Sequence, residues 1–499
     1  MMTITDFLTK NKSLLSDAVI CGDERVSYGD LYKKSLALGK KIYDESTEVV
    51  ILFMNNSIQY VISYFSVLYS GKIVYPISSL STKDELFSAI SRTNCKLILS
   101  TKEHYEQLKT ICGDLEMQIF NVDNEEGFDL DEDEFMDDCI DKSEADDTCL
   151  LLNTSGSTDK HKIVMLSHRN ITINCNDWID IALNPTVHSK VLVSIPVSTS
   201  FGSVVITTCI LLGWTIVFMP NFFNITSLLE AIEKEEVTHL ISIGTMLNLL
   251  ALNLSKIEKS MYNLDSLKFI GIGGNKAVLE TMRVIINFFE NVGLSPGYGI
   301  TEATCMVTTI PPELSRKDKE FFFDKANSAG KPFKNSDVKI FYNGNYTSNP
   351  NVMGEILIGG PIIMKGYYDN DTSTNSAIKD GYLFTGDIGY FDDEGYLYIV
   401  GRAKNIIKSG GYSVFPEEIE TVLLNSGMVK ESYVYGVPDA ILDELVVADV
   451  IPQNYDVTIS SLTKYCSEHL SSYKFPAKIQ FVDNIIKTKN GKIQRKIRE

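Results

Sequence analysis

Five small residues in a row, Thr154-Ser155-Gly156-Ser157-Thr158, follow the apolar run Cys149-Leu150-Leu151-Leu152, and Lys162 stands four positions further on. A strand running into such a turn exposes backbone N–H groups and hydroxyls with no bulk in the way, so anionic oxygens can approach closely. That chemistry is a phosphate cradle with a cation beside it. It is not a Walker loop, because His161 occupies the place of that motif's second glycine. The competing reading of these five residues alone is a flexible Ser/Thr linker.

Three other stretches carry reactive types. Gly297-Tyr298-Gly299-Ile300-Thr301-Glu302 offers an aromatic face, close backbone approach and a carboxylate suited to Mg²⁺; alone it would be a turn beside a packed Tyr. Thr385-Gly386-Asp387 puts a carboxylate at a strand turn, where it could accept from both hydroxyls of a ribose, and Arg402 follows fifteen positions later. Alone, Asp387 would be a turn residue. The basic end, 487–499, reads in isolation as a frayed tail. His104, His188, His239 and His469 have no partners at metal or triad spacing, and Cys466 with His469 is one isolated pair, so packed or surface roles are expected for them.

These stretches need elements to hold them. Apolar, β-rich runs at 48–54, 96–100, 118–122 and 148–153 alternate with helical patterns at 58–70 and 83–92, which predicts α/β layers with largely parallel strands. The acidic segment 123–147 lacks the glycine that a calcium loop needs, since Glu134 follows Asp129-Leu130-Asp131-Glu132-Asp133, and it reads as a solvated connection. A hairpin is predicted over 382–402 with its turn at Asp393-Glu394-Gly395, and the pattern resets after Arg402 with helices at 416–425 and 460–471.

Composition narrows the classes. Hydrophobic residues at 44% and charged residues at 22% are those of an ordinary globular protein. The net charge of −19 leaves no general footprint for nucleic acid or anionic membrane, so a phosphate ligand must be held locally. Nine cysteines, odd in number and without a CxxC pair, argue for a reducing cytoplasm over a disulfide framework, and no signal peptide is evident. The charge-free stretch 191–229 is broken by Pro196, Gly202 and Gly213, and its apolar part is shorter than the ~20 residues of a spanning helix. A buried helix followed by a strand is expected instead.

In this order and spacing the stretches resemble the adenylate-forming superfamily of acyl-CoA synthetases, aryl-CoA ligases, peptide-synthetase adenylation domains and firefly luciferase. The resemblance runs over almost the whole chain. It comprises TSGST at 154–158 with Lys162 and Ser167-His168, Gly273-Gly274 after a strand at 268–272, GYGITE at 297–302 and TGD at 385–387. It continues with GRAKNIIKSGGYSVFPEEIE at 401–420, YGVPD at 435–439, YKFP at 473–476 and NGKIQRK at 490–496.

The resemblance implies an α/β protein: a large N-terminal domain of layered α/β subdomains, 1–402, binding ATP and a carboxylic acid, and a small mobile α+β C-terminal domain, 403–499. It assigns Thr154, Ser155, Gly156, Ser157, Thr158 and Lys162 to the β- and γ-phosphates, Gly273, Gly274 and Tyr298 to the adenine, and Gly299 to ATP binding. Thr301 and Glu302 serve the α-phosphate and Mg²⁺, Asp387 and Arg402 the ribose, and Lys404 is the hinge. Lys492 is the catalytic lysine: two anions meet when a carboxylate attacks the α-phosphorus, and an ammonium plus Mg²⁺ stabilises that crowding. Pyrophosphate leaves. A thiol then attacks the acyl-adenylate, reaching it past Ser409, Gly410 and Gly411. The acceptor is CoA or the phosphopantetheine of a separate carrier protein; the chain ends seven residues after Lys492, so no fused carrier is expected.

Several positions depart from the family. The phosphate loop continues Asp159-Lys160-His161-Lys162-Ile163 where Gly-x-Pro-Lys-Gly is usual, and a carboxylate near pyrophosphate would repel it unless Lys160 or His161 offsets the charge. Asn405 replaces an acidic residue beside the hinge, and Ile486 replaces a proline. The pocket stretch around Thr199, Phe201 and Gly202, joined by Gly297 and Ile300, holds no acidic residue to pair an α-ammonium group, so a fatty, aryl or hydroxylated acid fits better than an α-amino acid. Two other readings stay open at this point. One is a nucleotide- or acyl-binding homologue that has lost turnover through its altered loop. The other is a dinucleotide oxidoreductase suggested by Gly271-Ile272-Gly273-Gly274, although Lys276 stands where its third glycine belongs.

Overall fold

The computed structural model describes residues 2–43, 45–113, 117–123, 143–154, 162–182, 189–219, 224–254, 256–258, 261–439, 441–487 and 493–495. Their strands form four sheets. In one, the parallel strands Ile73–Pro76, Val49–Phe53, Leu97–Ser100 and Gln118–Asn121 continue from Thr148–Asn153, which pairs antiparallel with Ile163–Ser167. Val49–Phe53 is buried at every position, as a strand covered on both faces requires. In the second, Gly293–Tyr298, Phe269–Gly273, His239–Ile243, Lys190–Val193, Thr215–Phe218 and Asp17–Cys21 run parallel.

The expected strands and helices in this part are present with ends shifted by a residue or so: the predicted helices 58–70 and 83–92 are Ile58–Tyr69 and Lys83–Thr93. The third sheet is antiparallel, as the hairpin predicted over 382–402 requires. Asp337–Tyr342, Gly354–Gly359, Tyr382–Phe391 and Leu397–Arg402 all pair antiparallel, because tight turns such as Asn343-Gly344 join neighbouring strands without a crossover helix. The predicted hairpin 382–402 is part of this sheet.

Two helices lie between the parallel sheets. Ile58–Tyr69 is started by Ser57, whose side chain accepts from the Tyr60 amide, and nearly every residue in it is buried. Ser200–Leu212 is likewise apolar on all sides, which suits a helix with no solvent face. Tyr60, Phe65, Val204 and Ile206 join Val50 and Leu52 of one sheet to Val191 and Ile216 of the other in a single core. The charge-free stretch thus becomes a buried helix, a left-handed Gly213 cap at φ 69°, and the strand Thr215–Phe218. No described helix is long and apolar enough to cross a membrane.

Gly202 sits in the first turn of Ser200–Leu212, where a Cβ would stand 2.5 Å from the Pro196 carbonyl oxygen and the Val197 Cα. Gly202→Ala is therefore expected to destabilise the fold by about 1–3 kcal/mol through overpacking against backbone. Calorimetry would show a lower unfolding temperature; an unchanged one would contradict this packing.

A fourth sheet, built on the hairpin of Val429–Asp439 and Asp443–Pro452, carries the helices Pro416–Asn425 and Ile459–His469. Ile407, Ile419, Val434, Ala448, Leu462 and Ile479 give it a hydrophobic core of its own.

Candidate active site

Ligands of parallel α/β sheets bind where the strands' carboxyl ends open into a crevice, and Tyr298 is the last residue of such a strand. The chain reverses just beyond it. A Cβ on Gly299 would collide with the Cys305 carbonyl, and one on Gly297 would stand 2.6 Å from the Thr308 oxygen, so both positions require glycine. The Tyr298 hydroxyl donates to Asp387 Oδ2 at 2.7 Å, and Arg402 Nε lies 2.9 Å from Asp387 Oδ1. Asp387 and Arg402 are opposite each other in the antiparallel hairpin. The Asp387 carboxylate is buried, and its two donors supply what burial would otherwise cost it. Burial first, and the Asp387 charge second, push the Tyr298 phenol well above its usual range, so it remains a neutral donor with its ring held at the crevice.

Just beyond Gly299 and Ile300, the 3₁₀ turn Thr301–Ala303 carries Glu302. Its Oε1 accepts from the Tyr367 hydroxyl at 3.0 Å, and the Lys162 ammonium lies 4.5 Å from the centre of the Tyr367 ring. Tyr367 pairs with Val164, on the strand that Lys162 leads into, so a carboxylate and a cation from distant stretches meet on one aromatic side chain. Burial and Glu302 raise the Tyr367 phenol, keeping it a donor. The Thr154 amide donates to the Lys162 carbonyl at 3.0 Å and closes the base of the predicted phosphate loop. Ser155, Gly156, Ser157 and Thr158, with Asp159, Lys160 and His161, lie outside the described residues.

The helix Ser200–Leu212 supplies the third wall. Thr199 caps it, accepting from the Gly202 amide at 3.1 Å. The Phe201 ring covers Gly273, where a Cβ would stand 2.8 Å from it. Ser200 Oγ lies 3.4 Å from Thr301 Oγ1, and Ile300 packs half-buried against the same core. Gly274, at φ 74°, turns the chain away at the end of its strand. Beyond it the buried Asn275 Oδ1 has no hydrogen-bond partner among the described residues. Ser200 and Tyr367 carried no signal in the sequence, because a lone Ser or Tyr beside a motif has no spacing to single it out.

The remaining predicted residues belong to the stretch that follows Arg402. Ser409, Gly410 and Gly411 form the exposed turn between Ile407–Ser409 and Tyr412–Val414, with Gly410 and Gly411 at φ 57° and 82°. Lys404 lies in the 3₁₀ turn Ala403–Asn405; burial, and then Arg402, push its ammonium below the usual value while Asp387 opposes them. Lys492 lies outside the described residues, between Lys487 and Ile493, which are bridged. Two of the described histidines have packed, structural places. His168 accepts from the Ile4 amide, and His239, buried between Trp214 and Phe269, is pushed down to about 4 mainly by desolvation. Among the described residues no three His, Cys, Asp or Glu side chains cluster as a metal site. A single Glu302 carboxylate beside the Thr301 hydroxyl offers hard oxygen donors, with one Glu302 oxygen already oriented by Tyr367; that set fits Mg²⁺ shared with substrate phosphates, which needs only one or two protein carboxylates.

Comparison with known proteins agrees with this geometry. The family model described as AMP-binding enzyme matches residues 11–368, and that of the AMP-binding enzyme C-terminal domain matches 418–492. The chain is 28% identical over 502 residues to a 2-succinylbenzoate–CoA ligase of Bacillus licheniformis, covering 99% of each chain. It is 29% identical to 4-coumarate–CoA ligase 2 of Petroselinum crispum, over 94% of this chain and 87% of that one. The o-succinylbenzoate CoA synthetase of Bacillus subtilis, solved with its acyl-adenylate intermediate, superposes with a TM-score of 0.85 at 25% identity, over 98% of this chain and 96% of that one. The same enzyme solved with ATP and a magnesium ion gives 0.84 at 25% identity, over 98% of each chain. These matches remove the oxidoreductase reading: the chain belongs to the AMP-binding enzymes, the adenylate-forming ligases that activate a carboxylic acid for transfer to a thiol.

Proposed function

We propose that the crevice between Tyr298, Glu302 and Phe201 joins an aryl-bearing carboxylic acid to the AMP moiety of ATP, and that the acyl group then passes to CoA. The observation that carries this is the contact of Ser200 with Thr301. It brings the start of the neutral helix Ser200–Leu212 against the turn that bears Glu302, so the acid and the α-phosphate have adjoining places. Tyr298 stacks on the adenine against Gly273 and Gly274, and Gly299 lets the ring lie close to the backbone. Asp387 accepts from the ribose hydroxyls with the lone pairs left by Tyr298 and Arg402. Thr154 to Thr158 and Lys162 hold the β- and γ-phosphates.

Thr199, Phe201, Gly202, Gly297 and Ile300 line the acid pocket, whose lack of an acidic side chain disfavours an α-ammonium group. When bound, Mg²⁺ neutralises charge on the phosphate oxygens. Lys492 lies beside the attacking carboxylate and the α-phosphorus, and its ammonium stabilises the charge gathered there as pyrophosphate departs. The chain divides at 402/403. Rotation about Lys404 withdraws Lys492 and brings Ser409, Gly410 and Gly411 to the crevice, where glycines leave room for the pantetheine arm. The relatives named above are CoA ligases, which supports CoA over a carrier protein as acceptor. The described cysteines are free and all but Cys21 buried, which supports a reducing, cytoplasmic setting.

The test is a panel of benzoate, 4-hydroxycinnamate, 2-succinylbenzoate, octanoate and phenylalanine with ATP, Mg²⁺ and CoA, read as pyrophosphate release and as thioester mass. Acid-dependent release with an aryl acid and its CoA thioester are expected, and neither with phenylalanine. Binding of ATP without release for any acid would make the chain a non-catalytic homologue with an impaired phosphate loop.

A further inference from the structure

Asn405, the residue after Lys404, departs from the acidic residue usual beside the hinge, and its surroundings give that departure a purpose. Its Nδ2 donates to Glu417 Oε1 at 2.6 Å. Glu417 lies in the first turn of the helix Pro416–Asn425, and the same Oε1 is 3.5 Å from Arg495 Nη2. Arg495 Nη2 donates to Glu420 Oε2 at 2.6 Å, Nη1 donates to the Val434 carbonyl at 3.2 Å, and the guanidinium lies 5.7 Å from the Tyr433 ring centre. Glu420 is itself fixed by the Val434 amide, which donates to its Oε1 at 2.8 Å. Immediately before Arg495, the Gln494 amide donates to the Ile486 carbonyl at 2.9 Å and Ile493 bridges to Lys487. Those contacts draw together the two ends of the segment that contains Lys492.

Glu417 also reaches the far side of the hinge. A Cβ on Gly401 would stand 2.5 Å from Glu417 Oε2, and that oxygen is buried with no hydrogen-bond partner among the described residues. One carboxylate therefore touches the chain on both sides of Lys404 and the arginine that anchors the tail. A donor at 405 suits this carboxylate, whereas an aspartate would set two carboxylates at hydrogen-bond distance, with Arg495 3.5 Å from Glu417 as the neighbouring cation.

We propose that Asn405, Glu417 and Arg495 form a strut from hinge to tail, so that the anchored tail turns with the hinge at Lys404, and that Asn405 and Arg495 are positioning residues for Lys492. The inference rests on the role given to Lys492 above. Its consequence is selective, since Lys492 serves adenylate formation and is withdrawn when the thiol attacks. Loosening the strut lowers the first half-reaction and spares the second.

The test compares Asn405→Asp, Arg495→Met and Arg495→Lys with Lys492→Ala and the parent in the full-length protein. The first half-reaction is read as ATP–pyrophosphate exchange with whichever of benzoate, 4-hydroxycinnamate and 2-succinylbenzoate the parent uses fastest. The second is read as thioester formation from the synthetic acyl-adenylate and CoA. Asn405→Asp and Arg495→Met are expected to lower the kcat of exchange at least about tenfold, as a small misplacement of a catalytic group does, with little change in the KM for ATP. Thioester formation stays within about twofold of the parent, and Arg495→Lys recovers part of the exchange. Equal loss in both half-reactions, or loss in neither, would overturn the strut and leave these residues as packing of the small domain. Should Arg495→Met fail to fold, Asn405→Asp alone decides, because it removes one donor at the hinge and leaves the tail anchored on Glu420. Parent-level exchange in Lys492→Ala would instead overturn the reading of Lys492.

Discussion

Lys492→Ala should lower acid-dependent ATP–pyrophosphate exchange by about 10²–10³-fold, the range for removing one group aimed at transition-state charge. The reason is electrostatic. An anionic acid must approach an anionic α-phosphate, and the chain's net charge of −19 supplies no general attraction to ease that meeting. A single ammonium at the junction acts only while the new P–O bond forms, so the loss should appear in kcat more than in the KM for either substrate. ATP binding, which depends on Tyr298, Asp387 and the phosphate loop, should persist. Thioester formation from preformed acyl-adenylate should also persist. A uniform loss across binding and both half-reactions would mean that the substitution had damaged the small domain.

Asp387→Ala should act on nucleotide binding. Asp387 is buried, accepts from Tyr298 at 2.7 Å and pairs with Arg402 at 2.9 Å. Its removal leaves a phenol and a guanidinium without their acceptor and takes away both bonds to the ribose. Hydrogen bonds to a charged group contribute about 1.5–3 kcal/mol each, so a rise in the KM for ATP of about 10²-fold or more is expected. Tyr298→Phe separates the contributions. It keeps the ring that faces the adenine and removes one donor to Asp387, and should cost about tenfold or less. Isothermal titration with ATP checks the order: parent tightest, Tyr298→Phe intermediate, Asp387→Ala weakest. Asp387→Ala binding ATP as the parent does would remove Asp387 from the ribose site.

Much of this was legible in the sequence because its chemistry is written in contiguous stretches. GYGITE and TGD lie far apart in the chain, yet each carries its own turn glycines and its reactive side chain, and the fold brings Tyr298 and Asp387 into hydrogen-bond contact. The buried helix and strand at 200–218 were legible as well, since a charge-free stretch broken by Gly213 has few other soluble forms. What escaped depends on partners rather than on patterns. Tyr367 matters because strand pairing sets it beside Val164 and hence near Lys162 and Glu302, and no local spacing records that register. Asn405 was visible as a departure, but its partner Glu417 is apparent only once the helix Pro416–Asn425 is packed beside the hinge. Of the antiparallel third sheet only the hairpin 382–402 was legible, since short strands of mixed burial do not announce their other neighbours.

The central claim is that the acid's own oxygen attacks the α-phosphorus of ATP. Supplying the accepted aryl acid with both carboxylate oxygens labelled as oxygen-18, together with ATP, Mg²⁺ and CoA, follows that oxygen directly. One labelled oxygen recovered in AMP, with unlabelled pyrophosphate, is the predicted result. Label recovered in inorganic phosphate with ADP as the nucleotide product, or AMP formed without label, would contradict the account.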